Sequence, residues 1–480
     1  MRSRLPRVGP GQALAAIAVL YAAAQLLVVG VHHYFGFDEA VYFSKASSPR
    51  IVGISWVTSR ALGLPWLLRP VTALDGGLVA MRGWLLFLSS IGLFVAFMPW
   101  VRLLRWPAVI GAALFAGSWL ALFYGSAAYP NLPMGLAVVC ATGWAVAAMS
   151  SETRRFAYAA SALAFAVAAT IRPTDALLQF GGFAIVLAVV RRRDAFGALA
   201  AGALGVAVGW LVWVVEAYRD FGGPSHRWHT AFAHVAGRPV RTLLFATAVA
   251  PLNARILTPR VLFAIAWCTT IVLTAAFACV ANHRRDLFPV TVGIGTAAPL
   301  LAAYLLFPSD TEPRFLIPVY ASLAVPSGVG IFPLLRGTGP RASWRFARTG
   351  FVVVVLGALL AWQIDSAHLT ASVATQTGRV VEATGRYVRH EANGHPCRVG
   401  TDDRPPVLAL ASGCAPARIL LGTIKTLPTQ FSRAPADGTR RYLVARNIPP
   451  PGSPVDGWRV TKIEPHRGDV AFVFEPPGQR

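Results

Sequence analysis

Residues 196–216 read FGALAAGALGVAVGWLVWVVE, an apolar run with no ionisable side chain before Glu216. A hydrocarbon core about 30 Å thick is crossed by roughly 20 apolar residues in an α-helix, so this stretch has the length of a transmembrane span. Runs of the same kind recur from near the N-terminus to about residue 365. Lipid offers no water to unpaired amides, which leaves helices or closed barrels, and these runs lack the alternation of barrel strands. Composition agrees: of 480 residues, 55% are hydrophobic and only 14% charged, with a mean hydropathy of +0.54. All three values fall outside the usual range of a soluble globular domain.

A net charge of +23 raises the question of nucleic acid. The arginines, however, stand in short clusters between apolar runs, and no soluble domain of nucleic-acid-binding type is visible. The charge reads as topology instead. Arg2, Arg4 and Arg7 precede the first run, 11–31, a pattern shared with signal peptides, and Ala22 to Ala24 mimic a cleavage site. The run continues through Leu26 to Val31, longer than a signal core, so an uncleaved helix is expected. If basic loops face the cytoplasm, Arg102/Arg105, Arg154/Arg155, Arg191 to Arg193, Arg284/Arg285 and Arg336 to Arg348 mark every second loop. Spans near 11–31, 78–100, 107–124, 134–149, 156–171, 176–190, 196–216, 259–281, 287–307, 315–334 and 349–365 satisfy that alternation. The expected fold is an all-α polytopic membrane protein of about eleven transmembrane helices, with the N-terminus cytoplasmic and the C-terminal segment outside. One loop resists the rule, because 217–258, placed outside, carries Arg219, Arg227, Arg238, Arg241 and Arg255. Amphipathic surface helices or a bound anion would account for them.

The chain is thus expected to divide into a membrane domain, 1–365, with outer loops 32–77 and 217–258, and a tail, 366–480. The tail is polar and rich in Pro and Gly, with short apolar runs at Val407 to Ala411, Arg441 to Ala445, Trp458 to Ile463 and Val470 to Phe474. Strand-length runs after a helix-like stretch near 372–392 predict a small extracytoplasmic α/β domain. Cys140, Cys268 and Cys279 lie in apolar spans, while Cys397 and Cys414 share the tail. Those two either form a disulfide or stay as buried free thiols. No Cys/His cluster has zinc spacing and no phosphate-cradling glycine loop appears, so nucleotide-sugar or ATP use is not expected.

The outer segments carry the polar chemistry. Phe37-Asp38-Glu39 follows the first span beside His32 and His33; two adjacent carboxylates at a membrane surface are costly without a partner or a purpose. Asp38 either caps a short helix over about 39–47 or accepts a proton. Arg172-Pro173-Thr174-Asp175 forms a tight turn between spans, where Arg172 either snorkels to lipid phosphates or binds an anion. Glu312-Pro313-Arg314-Phe315 opens a late span, and an arginine at that depth calls for an anionic partner, Glu312 or a ligand phosphate. Tyr129-Pro130-Asn131 is a weaker candidate, since Asn131 either forms the turn or contacts a ligand.

In order and sidedness these motifs resemble the GT-C superfamily of polyprenyl-phosphate-sugar-dependent glycosyltransferases, most closely the mannosyltransferases of glycosylphosphatidylinositol and dolichol-linked oligosaccharide assembly. The His-Pro-Asp-Glu motif of those enzymes is represented by Gly36-Phe37-Asp38-Glu39, and their Arg-Pro-Thr turn by Arg172 to Thr174. Their His-Lys-Glu-x-Arg-Phe motif is matched in its second half, by Glu312 to Phe315. The resemblance spans roughly 11–335 and lacks the His-Pro and His-Lys pairs. It implies inverting transfer of a sugar, mannose by the closest likeness, from a polyprenyl phosphate to a hydroxyl of a glycan, lipid or protein acceptor. It assigns Asp38 as general base, Glu39 as its orienting partner, and Arg172 and Arg314 as donor-phosphate ligands. His33, Asn131, Thr174, Asp175 and Glu312 are further substrate contacts. No cofactor is required, although a divalent metal held by Asp38, Glu39 or Asp175 is compatible with the scheme. Arg- and Ala-rich usage with little lysine suits a high-GC bacterium and its plasma membrane. A transporter is the competing reading, but it would be expected to show repeated halves and charges within its spans.

Overall fold

A computed structural model describes residues 8–47, 53–150, 154–190, 195–233, 287–306, 312–336, 342–401, 404–419, 431, 438–449, 453–466 and 469–477. The apolar runs within those limits are helices. They are α1 (Pro10–Ala24, continued as a π-turn Gln25–Val29), α2 (Phe37–Ala46), α3 (Gly63–Ala73), α4 (Leu78–Leu104), α5 (Trp106–Ala116) and α6 (Trp119–Gly125). There follow α7 (Asn131–Ser150), α8 (Arg154–Ile171), α9 (Pro173–Val190), α10 (Ala195–Phe221) and α11 (Pro224–Ala233). The last helices are α12 (Leu287–Leu306), α13 (Ile317–Arg336, preceded by the 3-10 turn Pro313–Leu316), α14 (Ala342–Ala392) and α15 (Pro405–Ser412). Eight of the described helices are long and apolar enough to cross a bilayer, or nine if a bent pair is one span. The chain is a multi-pass membrane protein. The expected span 259–281 lies outside the described residues, as do Cys268, Cys279, Arg238, Arg241 and Arg255.

The span expected over 107–124 is broken: α5 and α6 meet at a bend of 69°. The break is stabilised by side chains. Ser118 Oγ caps α6 by accepting from the Ala121 N–H at 3.2 Å, and the Trp119 N–H donates to Gln363 Oε1 of α14 at 3.0 Å, so two donors of the buried helix start are satisfied without water. Elsewhere small residues bring helices together, as expected where lipid is no worse a solvent than leucine. Gly111 of α5 lies against the Ala324 carbonyl of α13, and Gly205 of α10 against the Ala162 carbonyl of α8. A side chain at either position would collide with backbone.

The chain packs as two units. One comprises residues 1–30, 57–64 and 83–370; the other comprises 31–56, 65–82 and 371–480. In the second unit, the loop bearing α2 belongs with the C-terminal residues, and α15 packs on α2.

Past the end of α14, the C-terminal residues form a five-stranded sheet, β1 (Cys397–Thr401), β2 (Ala415–Arg418), β3 (Arg440–Ala445), β4 (Arg459–His466) and β5 (Asp469–Glu475), in the order β2-β1-β3-β5-β4. β1 is parallel to both β2 and β3, whereas β5 is antiparallel to β3 and β4. Side chains alternate between two cores. Val388 of α14 and Leu408 of α15 meet Val399, Tyr442, Val444 and Val473 on one face, while Ile419, Phe431, Leu443 and Phe474 cover the other.

The run Val407 to Ala411, expected as a strand, is helical. Pro405 and Pro406 occupy its first turn, where a missing N–H costs nothing and the fixed φ favours a helix. Strands β1 and β2, too short and polar to stand out, were absent from the sequence expectation. Cys397 and Cys414 are joined in a disulfide with a Cα–Cα separation of 4.8 Å, which resolves the alternative left open above.

Candidate active site

The carboxylate pair stands at the start of α2. Gly36, not Asp38, is the N-cap, and Glu39 in the third helical position accepts from the Gly36 N–H at 2.7 Å. The expectation of Asp38 as cap is therefore corrected: the reach-back of a Glu at that position already satisfies the helix end. Asp38 is half-buried, in the second helical position.

Glu39 is almost fully buried and ion-paired with Arg82, whose side chain is 0% exposed. Arg82 Nη1 donates to Glu39 Oε1 and Nη2 to Oε2 at 2.9 Å. The same guanidinium reaches the backbone: Nε and Nη2 donate to the His33 carbonyl at 3.3 and 3.2 Å, and Nη2 to the Tyr34 carbonyl at 3.1 Å. Burial alone raises the Glu39 pKa, but the Arg82 charge and hydrogen bonds, His33 and the Gly36 N–H outweigh it. The carboxyl is held below its ordinary value. Arg82 thus fixes the backbone of residues 33–34 and the side chain of Glu39 together, and with them the turn that presents Asp38. His33, a candidate substrate contact, is 1% exposed, and its carbonyl is held in this buried cluster by Arg82. Sequence reading missed Arg82 as a functional residue. The available signal was an arginine near the start of a 27-residue helix of high hydropathy, a position where a charge needs a partner.

The other motifs lie in the first unit. The Arg172 turn joins α8 to α9, and Arg172 Nε lies 2.6 Å from Asp175 Oδ2. Tyr304 of α12 closes the group: it accepts from Arg172 Nη2 at 2.9 Å and donates to Asp175 Oδ2 at 2.8 Å. Thr174, on the exposed side, donates to Asp175 Oδ1 at 3.3 Å. Phe315 stacks on Tyr304 with centroids 5.4 Å apart. Its ring holds both arginines, with Arg172 Cζ at 5.3 Å and Arg314 Cζ at 5.2 Å. Arg314 also lies over Tyr129 at 4.6 Å and pairs with the half-exposed Glu312 at 3.3 Å. Asp310 and Thr311, just before this motif, lie outside the described residues.

Two turns distant in sequence thereby place their guanidiniums on one aromatic ring, each 21% or 14% exposed. Arg227, from the loop that resisted the charge rule, contrasts with them. It is 0% exposed and ion-paired with Glu216 at 2.9 Å, donates to the carbonyls of Thr58, Trp213 and Arg60, and lies between Trp213 and Phe221. The expectation of a surface helix or anion site is replaced at this residue by an internal clamp. Asn131, at the start of α7, is 0% exposed, and neither atom of its amide has a hydrogen-bond partner. It makes no turn-forming bond, and an unsatisfied buried amide calls for a ligand or ordered water. Among the described residues no group of three His, Cys, Asp or Glu side chains has a metal-binding arrangement.

No family model matches the chain, and no curated protein matches it by sequence. Solved structures do match by fold. ArnT from Cupriavidus metallidurans, bound to undecaprenyl phosphate, superposes with a TM-score of 0.65 at 13% identity, over 97% of this chain and 98% of that one. The oligosaccharyltransferase AglB from Archaeoglobus fulgidus, in complex with an inhibitory peptide and a dolichol-phosphate, gives 0.52 at 12% identity, over 84% and 64%. The arabinofuranosyltransferase AftD from Mycobacteria gives 0.54 at 15% identity, over 99% and 41%. The chain has the fold of the GT-C glycosyltransferases.

Proposed function

We propose that the chain is an integral membrane glycosyltransferase that moves a sugar, mannose by the closest motif likeness, from a polyprenyl phosphate to a hydroxyl acceptor, with inversion, at the extracytoplasmic face. The observation that carries this reading is the convergence of Arg172 and Arg314 on Phe315. Neither guanidinium loses its proton at working pH. Both retain some exposure, unlike the fully enclosed Arg82 and Arg227. Two permanent cations at the entry of apolar helices suit a lipid-linked phosphate, where negative charge grows as the glycosidic bond breaks. The likeness in fold to proteins solved with undecaprenyl phosphate and dolichol-phosphate supports the same donor class.

In this reading Asp38 takes the proton of the acceptor hydroxyl as that oxygen attacks the anomeric carbon. Glu39 is engaged by Arg82 and the Gly36 N–H, so the base role falls to Asp38 and Glu39 holds the turn. Asn131 offers an amide to a sugar hydroxyl. The scheme uses no cofactor, since the carrier is itself the substrate. The disulfide supports an oxidising compartment for the C-terminal domain, with the N-terminus cytoplasmic in the plasma membrane of a bacterium.

The test is mass spectrometry of envelope glycans and lipids from cells carrying wild type, Asp38→Asn or no protein. A product lost in both mutant strains, with the Asp38→Asn chain accumulating normally in the membrane, supports transfer. A product that persists with Asp38→Asn overturns the assignment of the base, and an unchanged glycome in the deletion overturns the reading as a whole.

A further inference from the structure

The sheet of the second unit has a topological switch point. From β1 the chain passes through α15 to β2 on one side, and β3 pairs with the other side of β1. α15 packs in the core on one face, whereas Ile419 and Phe431, from the stretch between β2 and β3, belong to the core on the other. In open α/β sheets such a reversal leaves a crevice beyond the carboxyl ends of the two diverging strands, and ligands bind there.

A cleft of about 660 Å³ opens at that place, lined by Thr401 at the end of β1, by Ala445 and Asn447 at and beyond the end of β3, and by Thr377 and Thr384 of α14. Asp469, the first residue of β5, completes it. Gln376 Nε2 donates to Asp469 Oδ1 at 2.7 Å. The second oxygen, Oδ2, is buried and has no hydrogen-bond partner.

We propose that this cleft binds a saccharide. Its size falls within the usual range of small-ligand sites. Its lining sets the polar side chains of Gln376, Thr377, Asn447 and Asp469 beside the apolar Val380 and Phe472, a mixture that suits the hydroxyls and the C–H face of a sugar ring. Asp469 Oδ2 selects among alternatives, because an ionised carboxylate only accepts and therefore needs a donor from the ligand. A phosphate monoester dianion carries no O–H or N–H to supply one. An ammonium supplies one but meets Lys462 and Arg446 on the same lining. A neutral sugar hydroxyl meets neither objection. The site lies wholly within the second unit and does not depend on the transfer reaction.

The experiment uses the full chain in lipid nanodiscs free of sugar-based detergent. Saturation-transfer NMR is recorded with methyl glycosides of mannose, glucose, galactose and arabinose, with a mannose disaccharide, and with inorganic phosphate. At least one sugar receives saturation from wild type. A stronger response from the disaccharide than from the matching monosaccharide identifies a polymer end, and equal responses identify a free sugar. Asp469→Ala weakens binding about tenfold, the loss of one charge-assisted hydrogen bond, and Thr377→Trp, which fills the cleft, abolishes it. Formation of the Cys397–Cys414 disulfide reports that each variant has folded; should one fail to accumulate, the other carries the comparison. The proposal is overturned if no sugar in the panel responds, if phosphate alone responds, or if a folded variant binds as wild type does.

Discussion

Replacing Arg82 with methionine tests how the turn bearing Asp38 is held. The substitution removes the ion pair to Glu39 and the donors to the carbonyls of His33 and Tyr34. Glu39, 3% exposed, is left as a buried anion with the Gly36 N–H and His33 as its remaining support. Breaking a buried pair from one side costs roughly 3–5 kcal/mol, because the other charge stays desolvated. The two orphaned carbonyls lie within that range rather than adding to it, at about 1 kcal/mol each. The opening equilibrium of the 33–46 segment should shift by two to nearly four decades, at about 1.4 kcal/mol per decade. Hydrogen exchange of peptides covering those residues reads this local opening directly. Replacing both partners, as Arg82→Met with Glu39→Leu, removes the stranded charge and should restore most of the protection, leaving a helix start without its cap at a cost of about 1 kcal/mol. The sign of the pH dependence gives a second check. In wild type the Glu39 pKa lies below its ordinary 4.5, so its contribution is complete above that pH and is lost as pH falls through the depressed value. In Arg82→Met burial dominates and raises the pKa, so protection should instead be greatest below the ordinary 4.5 and fall as pH rises from there through the raised value. Unchanged protection in Arg82→Met, or a double variant as unprotected as the single one, would refute the reasoning.

Arg172→Ala and Arg314→Ala should each lower turnover on a polyprenyl-phosphate sugar by roughly 10²–10³, the usual loss for one donor to developing charge. Arg→Lys at either position should recover little, since the planar face on Phe315 is lost; single-turnover transfer in vesicles measures both. Cys397→Ser with Cys414→Ser opens a loop of sequence separation 17 and should destabilise the C-terminal domain by about 3 kcal/mol, read as earlier thermal exposure of its peptides. Arg227→Met strands Glu216, 1% exposed, and should cost roughly 3–5 kcal/mol and reduce membrane accumulation; Arg227→Met with Glu216→Leu should recover most of it.

The helices were legible because span length and apolar composition are imposed by the bilayer, whichever neighbours a helix has. Where local backbone chemistry decides, the reading weakened. The bend at Ser118 is invisible to hydropathy, since Ala116, Gly117 and Trp119 on either side suit an unbroken span. It depends on a cap and on Gln363, far away in sequence. The helix Pro405–Ser412 was mistaken for a strand because its apolar core is short, although the two prolines at its start carried the correct signal.

The site divides along the same line. Motif order drew attention to Asp38, Arg172 and Arg314, but could not tell a partly exposed arginine from a fully enclosed one. That distinction rests on exposure and on what surrounds each guanidinium, both products of tertiary packing. Arg82 and Arg227 show why net charge misleads: each is wholly enclosed, with a carboxylate and backbone carbonyls as acceptors, and neither reports on topology or on ligands. Phe315 had been read only as a motif letter. Its ring lies against both Arg172 and Arg314 while each guanidinium keeps its own carboxylate, Asp175 or Glu312, so an incoming phosphate would have to compete with those two acids, most easily with the half-exposed Glu312.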